Sequence, residues 1–116
     1  MIEIKATPVA PDIEGAVIGA MLTSMDDLHT IADLINKDCF YSGDNTKIYE
    51  ACIYLYNKGK TPDIISVSEY LKNKVDLMEI VNTTSSTSLN VEEHCYILKE
   101  YQMRRELLKA HKLINR

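Results

Sequence analysis

The stretch Asp44–Glu69, DNTKIYEACIYLYNKGKTPDIISVSE, decides the fold. Within it Ile48, Ala51, Cys52, Leu55 and Tyr56 recur at i, i+3, i+4, i+7 and i+8, the spacing of one buried helix face. Asp44 and Asn45 are residue types that accept hydrogen bonds from the free N–H groups at a helix start. Gly59 stands where a helix ends in a left-handed residue, and Pro62 forbids continuation. Ser66-Val67-Ser68-Glu69 then has the form of a capping box, with Ile65 and Tyr70 placed as its hydrophobic staple. The stretch predicts two helices, about Asn45–Lys58 and Val67–Lys74, joined by a short turn.

The flanks read the same way. Met1–Val9 is expected to be an extended arm, closed by Pro11 and the N-cap Asp12. A first helix over Ile13–Leu22 places Ile13, Ala16, Val17, Ala20 and Met21 on one face. A second starts at Ser24-Met25-Asp26-Asp27 and runs to about Ile35, carrying Leu28, Ile31, Ala32 and Ile35. Cys39-Phe40-Tyr41 is a short aromatic plug. Asp76–Val81 adds a helical turn or two, and Asn82–Asn90 is a loop in which only Leu89 is neither Asn, Ser nor Thr. Asn90-Val91-Glu92-Glu93 begins a last, long helix with an Asx cap and acids in its first turn. No segment alternates as a strand would. The expected fold is all-α: a compact multi-helix head of about five helices, residues 1–90, and a long C-terminal helix from 91 to 116. Neither Gly, Pro nor a polar taper precedes Arg116, so the chain reads as the N-terminal part of something longer.

Composition excludes several classes. The chain has 116 residues, 46% hydrophobic and 26% charged, with four Gly and three Pro, which fits one globular domain and neither a disordered nor a repeat protein. No apolar run approaches the ~20 residues of a membrane span. The patch Ala16–Leu22 follows Asp12 and Glu14 instead of a basic segment, so it is no signal peptide. Cys39, Cys52 and Cys95 are odd in number and lack a C-x-x-C, which argues against disulfide or zinc and suits a reducing cytoplasm. The net charge of −4 is unevenly spread. Residues 99–116 hold six basic against two acidic residues, a local +4, while the other 98 hold seven against fifteen, a local −8. An acidic body with a basic tail favours self-association or docking over nucleic-acid wrapping.

The last helix carries most of the functional signal. At about 100° per residue, Tyr96, Met103, Leu107, Ala110 and Ile114 form a heptad-like seam. Ile97, Tyr101 and Leu108 make a second apolar face. Arg105, Lys109, Lys112 and Arg116 occupy a third side as a basic stripe. A helix apolar on two sides is buried on two sides, so one face is expected to meet the head or a return helix and the other a second subunit.

Catalytic constellations are missing. The glycines form neither a phosphate-cradling loop nor a dinucleotide fingerprint, and no Ser/His/Asp set has nucleophile-elbow context. His29 near Asp26 and Asp33 is read as a solvated helix face, and His94-Cys95 as packing beside a cap. Asp12 and Glu14 are read as acids favoured by a helix N-terminus, not as an acid–base pair. Tyr54 lies nearly opposite Tyr56 on their helix, so with Tyr49 they build no flat stacking platform. No catalytic, cofactor or metal residue is assigned.

Asp12-Ile13-Glu14-Gly15-Ala16-Val17-Ile18-Gly19-Ala20-Met21-Leu22 resembles the opening helix of the DnaB-type replicative DNA helicases. Lys37-Asp38-Cys39-Phe40-Tyr41 is similar to that family's Asp-x-Phe-Tyr. Ile48-Tyr49-Glu50-Ala51, Leu55-Tyr56-Asn57-Lys58-Gly59-Lys60 and Pro62-Asp63-Ile64-Ile65-Ser66-Val67 resemble its most recognisable block. Tyr96-Ile97-Leu98-Lys99-Glu100 through Arg104-Arg105-Glu106-Leu107-Leu108 resembles the first arm of its helical hairpin. The resemblance follows the family's order along nearly the whole chain. It implies an all-α N-terminal domain whose hairpins pair between subunits, as a dimer in isolation and a hexameric ring in the parent. It also implies recruitment of primase and, in some systems, a helicase loader. ATP, Mg²⁺ and contact with DNA would belong to a separate RecA-like motor absent from this sequence. The expected function is a non-catalytic oligomerisation and interaction domain, bacterial or encoded by a phage or mobile element, in the cytoplasm and away from membranes. The expected self-association residues are Tyr96, Ile97, Tyr101, Met103, Leu107, Leu108, Ala110 and Ile114. The alternative is a small nucleic-acid-binding module using Arg105, Lys109, Lys112 and Arg116 on phosphates.

Overall fold

The computed structural model describes residues 7–72, 74–76, 78 and 90–114, and all regular structure among them is helical. The elements are α1 (Pro11–Thr23), α2 (Met25–Leu34), a 3-10 turn (Lys37–Cys39), α3 (Gly43–Asn57), α4 (Ile64–Leu71) and α5 (Val91–Ile114). The first residues of the arm, most of the expected turns and loop over 76–90, and Arg116 lie outside the described residues.

The face read from α3 is the one that is buried: Ile48, Ala51 and Cys52 are inaccessible and Leu55 nearly so. They pack with Val17, Ile18 and Met21 of α1, Leu28 and Ile31 of α2, Val67 of α4, and Cys95 and Leu98 of α5 in one continuous core. α1 is the hub, packing against α2, α3 and α5, whereas α4 leans chiefly on α3. Of the aromatic plug, Cys39 and Phe40 are buried and Tyr41 is exposed. The Phe40 ring lies 5.3 Å from that of Tyr49, whose hydroxyl donates to the Ile35 carbonyl at 2.9 Å.

Helix starts differ from the sequence reading, each for a local reason. α1 begins at Pro11 behind Ala10, which makes no side-chain cap, so Asp12 is inside the helix. Proline suits a first helical position because its missing N–H would have no partner there and its φ is already helical. α3 is capped by Ser42, whose hydroxyl accepts from Asn45 N–H at 3.3 Å, placing Asp44 and Asn45 in the first turn. α4 starts one turn earlier than expected. Asp63 is its N-cap, accepting from Ser66 N–H at 2.7 Å while the Ser66 hydroxyl accepts from Asp63 N–H at 3.0 Å. The earlier start adds half-buried Ile64 to the stripe made with buried Val67 and Leu71, which a start at Val67 would forfeit. Ile65 and Tyr70, placed as a staple for the later start, are both exposed, and Tyr70 stacks on Tyr54 at 4.8 Å. The helix ends at Leu71 instead of Lys74 because Lys72 adopts a left-handed conformation (φ 52°). Gly59 at the end of α3 has φ +75°, the backbone region where a residue without Cβ is least strained.

Candidate interaction surface

α5 spans 24 residues, about 36 Å at 1.5 Å per residue, and packs its head-facing side on α1, α2 and the 3-10 turn. Val91, Cys95 and Leu98 are buried there, followed by half-buried Gln102, buried Arg105 and buried Leu108. Lys109 and Lys112 lie within about 40° of Arg105 on the helical wheel and are exposed. The expected third side is therefore the head-facing side itself, continued past the edge of the head. Its character runs from apolar to hydrogen-bonding to basic as the helix leaves its support.

Arg105 is the pivot of that change and is not a free surface cation. It is 8% exposed. Nη1 donates to the Pro8 carbonyl at 3.1 Å, and Nη2 to the Asp38 and Cys39 carbonyls at 3.4 and 3.2 Å. Its guanidinium also lies 5.7 Å from the Tyr41 ring centroid. The wheel grouped it with Lys109 and Lys112, but its planar fork matches the converging carbonyls at the end of the 3-10 turn and folds inward. Beside it, Cys39 Sγ donates to Gln102 Oε1 at 3.0 Å, and Gln102 Nε2 donates to Glu106 Oε1 at 3.2 Å.

The opposite side of α5 is apolar and open. Tyr96 is about half exposed, Met103 62%, Leu107 65% and Ile114 81%, and Ala110 is exposed too. All five lie within about 40° of the direction opposite Arg105. Leu113, which the sequence reading passed over, is also exposed but lies about 90° round the helix from that row. The second face behaves differently: Ile97 and Tyr101 are half-buried and Leu108 is buried, because they flank the head-facing side. Polar support along the outer face is local. Tyr96 donates to Glu92 at 3.3 Å, and Arg104 pairs with Glu100 at 2.8 Å.

Sequence reasoning missed Glu14. It is 2% exposed and lies against the start of α3, accepting from Tyr41 N–H at 2.8 Å, Ser42 N–H at 3.2 Å and Asn45 Nδ2 at 3.1 Å. It lies in the first turn of its own helix, as expected of an acid, and its carboxylate also complements the N-terminus of α3. Asp12 is exposed, so the two acids do not act as a pair. His29 Nδ1 hydrogen-bonds the Tyr56 hydroxyl, and no cluster of three or more His, Cys, Asp or Glu able to hold a metal occurs among the described residues. Burial pushes the Cys52 thiol up to about 12 and the Cys95 thiol to about 11, which leaves both un-ionised at neutral pH. Among the described residues no helix is long and apolar enough to cross a membrane.

A small helical head presenting an open apolar row along one supported helix defines a protein–protein interaction module. The chain belongs to the DnaB-like helicase N-terminal domain family, whose model matches residues 6–100. It is 31% identical over 118 residues to the replicative DNA helicase DnaB of Treponema pallidum (strain Nichols), covering 95% of this chain and 27% of that protein. It is 28% identical over 115 residues to the replicative DNA helicase DnaC of Bacillus subtilis (strain 168), covering 91% and 25%. With the replicative DNA helicase DnaB of Rhodothermus marinus it shares 27% over 109 residues, 87% of this chain and 12% of that one. The chain thus spans about a quarter or less of the curated relatives it matches. The crystal structure of the N-terminal domain of DnaB helicase from Mycobacterium tuberculosis shares the fold, with a TM-score of 0.82 at 24% identity, over 94% of this chain and 84% of that one.

Proposed function

We propose that this chain is the self-association and docking domain of a replicative DNA helicase, with head 1–90 and the helix from 91 starting a hairpin that pairs with a second copy. The observation that carries this reading is the exposed row Tyr96, Met103, Leu107, Ala110 and Ile114 on the side of α5 turned away from the head. Ile97, Tyr101 and Leu108, expected in the same surface, serve mainly to seat α5 on its own head, so the proposed interface is narrower than the sequence implied. Completing the burial of Met103, Leu107 and Ile114 on two copies is worth about 6–12 kcal/mol at about 1–2 kcal/mol each. Association costs about 4–15 kcal/mol, so pairing through this row alone is a reversible equilibrium.

In the whole protein the same domain would help assemble a hexameric ring in the cytoplasm and recruit primase or a helicase loader. ATP with Mg²⁺, and the DNA strand, would be handled by a separate motor domain. The residues present here do not fit a nucleotide: Gly15, Gly19, Gly43 and Gly59 build no phosphate-cradling loop. The test is sedimentation over a concentration series. The wild-type chain is expected to gain mean mass with concentration, and Leu107→Glu to remain monomeric with an unchanged helical signal. A wild-type monomer at every concentration, or a Leu107→Glu chain that associates equally well, would overturn the reading.

A further inference from the structure

Where α5 outruns the head, a cleft of about 440 Å³ opens between its basic end, the 3-10 turn and the start of α3. Phe40, Tyr41 and Leu108 supply its apolar part, Lys37 stands on one rim, and Lys109 and Lys112 stand on the other. Arg105 forms part of its wall as a buried cation whose hydrogen bonds among the described residues go to neutral carbonyls. We propose that this cleft binds a short, extended acidic peptide segment of a partner protein. An apolar or aromatic residue of that segment would sit between Tyr41 and Leu108, with carboxylates on Lys37, Lys109 and Lys112. This deepens the docking half of the function proposed above and is independent of its self-association half, because the apolar row lies on the opposite side of α5.

Size and charge select this occupant. The volume is that of a small-ligand pocket, which admits a few residues of extended chain but not a helix about 10 Å across. Three lysines with a buried arginine behind them outnumber the acids Asp38 and Glu106 and attract anions. A nucleic-acid strand is disfavoured on two counts. The cleft also presents the acids Asp38 and Glu106, and the rest of the chain carries a net −8 outside residues 99–116. A peptide answers both signs, since its backbone N–H groups donate to carboxylates while its acidic side chains meet the lysines. A phosphodiester backbone offers no such donors.

The test uses the folded chain and a fluorescein-labelled peptide alternating aspartate with phenylalanine and leucine, read by fluorescence anisotropy at low salt. A peptide with asparagine for aspartate and a single-stranded oligonucleotide serve as competitors. The acidic peptide is expected to bind, to weaken at least about tenfold on Lys109→Glu with Lys112→Glu, and to weaken with added salt. Leu107→Glu is expected to leave its affinity unchanged, so failure of self-association and failure of the cleft are separable. The proposal is overturned by an acidic peptide that does not bind, by equal binding of the asparagine peptide, or by indifference to the lysine reversals. It is likewise overturned if the oligonucleotide displaces the peptide at equal concentration. It is also overturned if the lysine reversals abolish self-association, which would assign the cleft to the acidic head of a second copy.

Discussion

At position 14 a carboxylate is held almost wholly out of solvent by two backbone N–H groups and the Asn45 side chain. The Asn45 donor is buried at the junction of α1 and α3 and the Tyr41 and Ser42 N–H groups are partly so, and a buried unsatisfied group costs about 1–3 kcal/mol. Glu14→Ala is therefore expected to lower unfolding free energy by about 3 kcal/mol in urea titration, with Glu14→Gln losing less because its amide oxygen still accepts. A loss below about 1 kcal/mol for the alanine variant would show that water replaces the carboxylate. The thiols make a second prediction at this scale. Cys52 and Cys95 rise from an ordinary 9.0 to about 12 and about 11 on burial, so the folded state resists their ionisation. Their contribution is complete below pH 9 and is lost as pH rises toward the folded values, because unfolded thiols ionise first. Urea midpoints are expected to fall between pH 9 and pH 11, and Cys52→Ala to fall less steeply; a parallel decline would assign the loss to other groups.

Among elements, α5 is tied to the head near its exposed end by Arg105, between half-buried Gln102 and buried Leu108. Arg105 joins the arm at Pro8 to the 3-10 turn at Asp38 and Cys39, so one side chain of α5 bridges both. Arg105→Ala is expected to cost about 2–3 kcal/mol, measured by denaturant midpoint. Arg105→Lys should not recover that loss, since one ammonium cannot reach three carbonyls in the geometry of a guanidinium fork. Full recovery by lysine would reduce the role to charge alone. The same region shows how far a helical wheel can be read. The wheel grouped Arg105, Lys109 and Lys112 correctly by angle, but their fates differ because the head underlies only the first of them. Helix starts were legible to within a turn; α4 begins at the Asp63–Ser66 capping box, which also brings half-buried Ile64 into the helix.

For the whole molecule, the apolar row and the cleft lie on opposite sides of one helix, so self-association and partner docking can coexist. If copies pair along α5, the folded state is stabilised by mass action, and the unfolding temperature of the wild-type chain should rise with protein concentration. Leu107→Glu should make it independent of concentration, as followed by circular dichroism; a concentration dependence unchanged by this substitution would place the interface elsewhere. Charge acts at this scale too, since the basic end of α5 projects from an otherwise acidic body.

Periodicity, caps and breakers along the chain were enough to determine an all-α head, the buried face of α3, the left-handed Gly59 and the start of α5 at Val91. These are local properties: hydrophobic spacing and backbone preference act within a few residues and are written in order. Family membership was legible as well, because the order of several weak motifs is itself a linear property. Tertiary structure alone decided where Glu14 and Arg105 spend their charges, which apolar face of α5 stays open, and that its basic end borders a cleft. Those outcomes join residues 27 to 97 positions apart, as in Glu14 with Tyr41 and Arg105 with Pro8. A polar side chain chooses its partner by three-dimensional proximity and desolvation, and neither is specified by its neighbours in sequence.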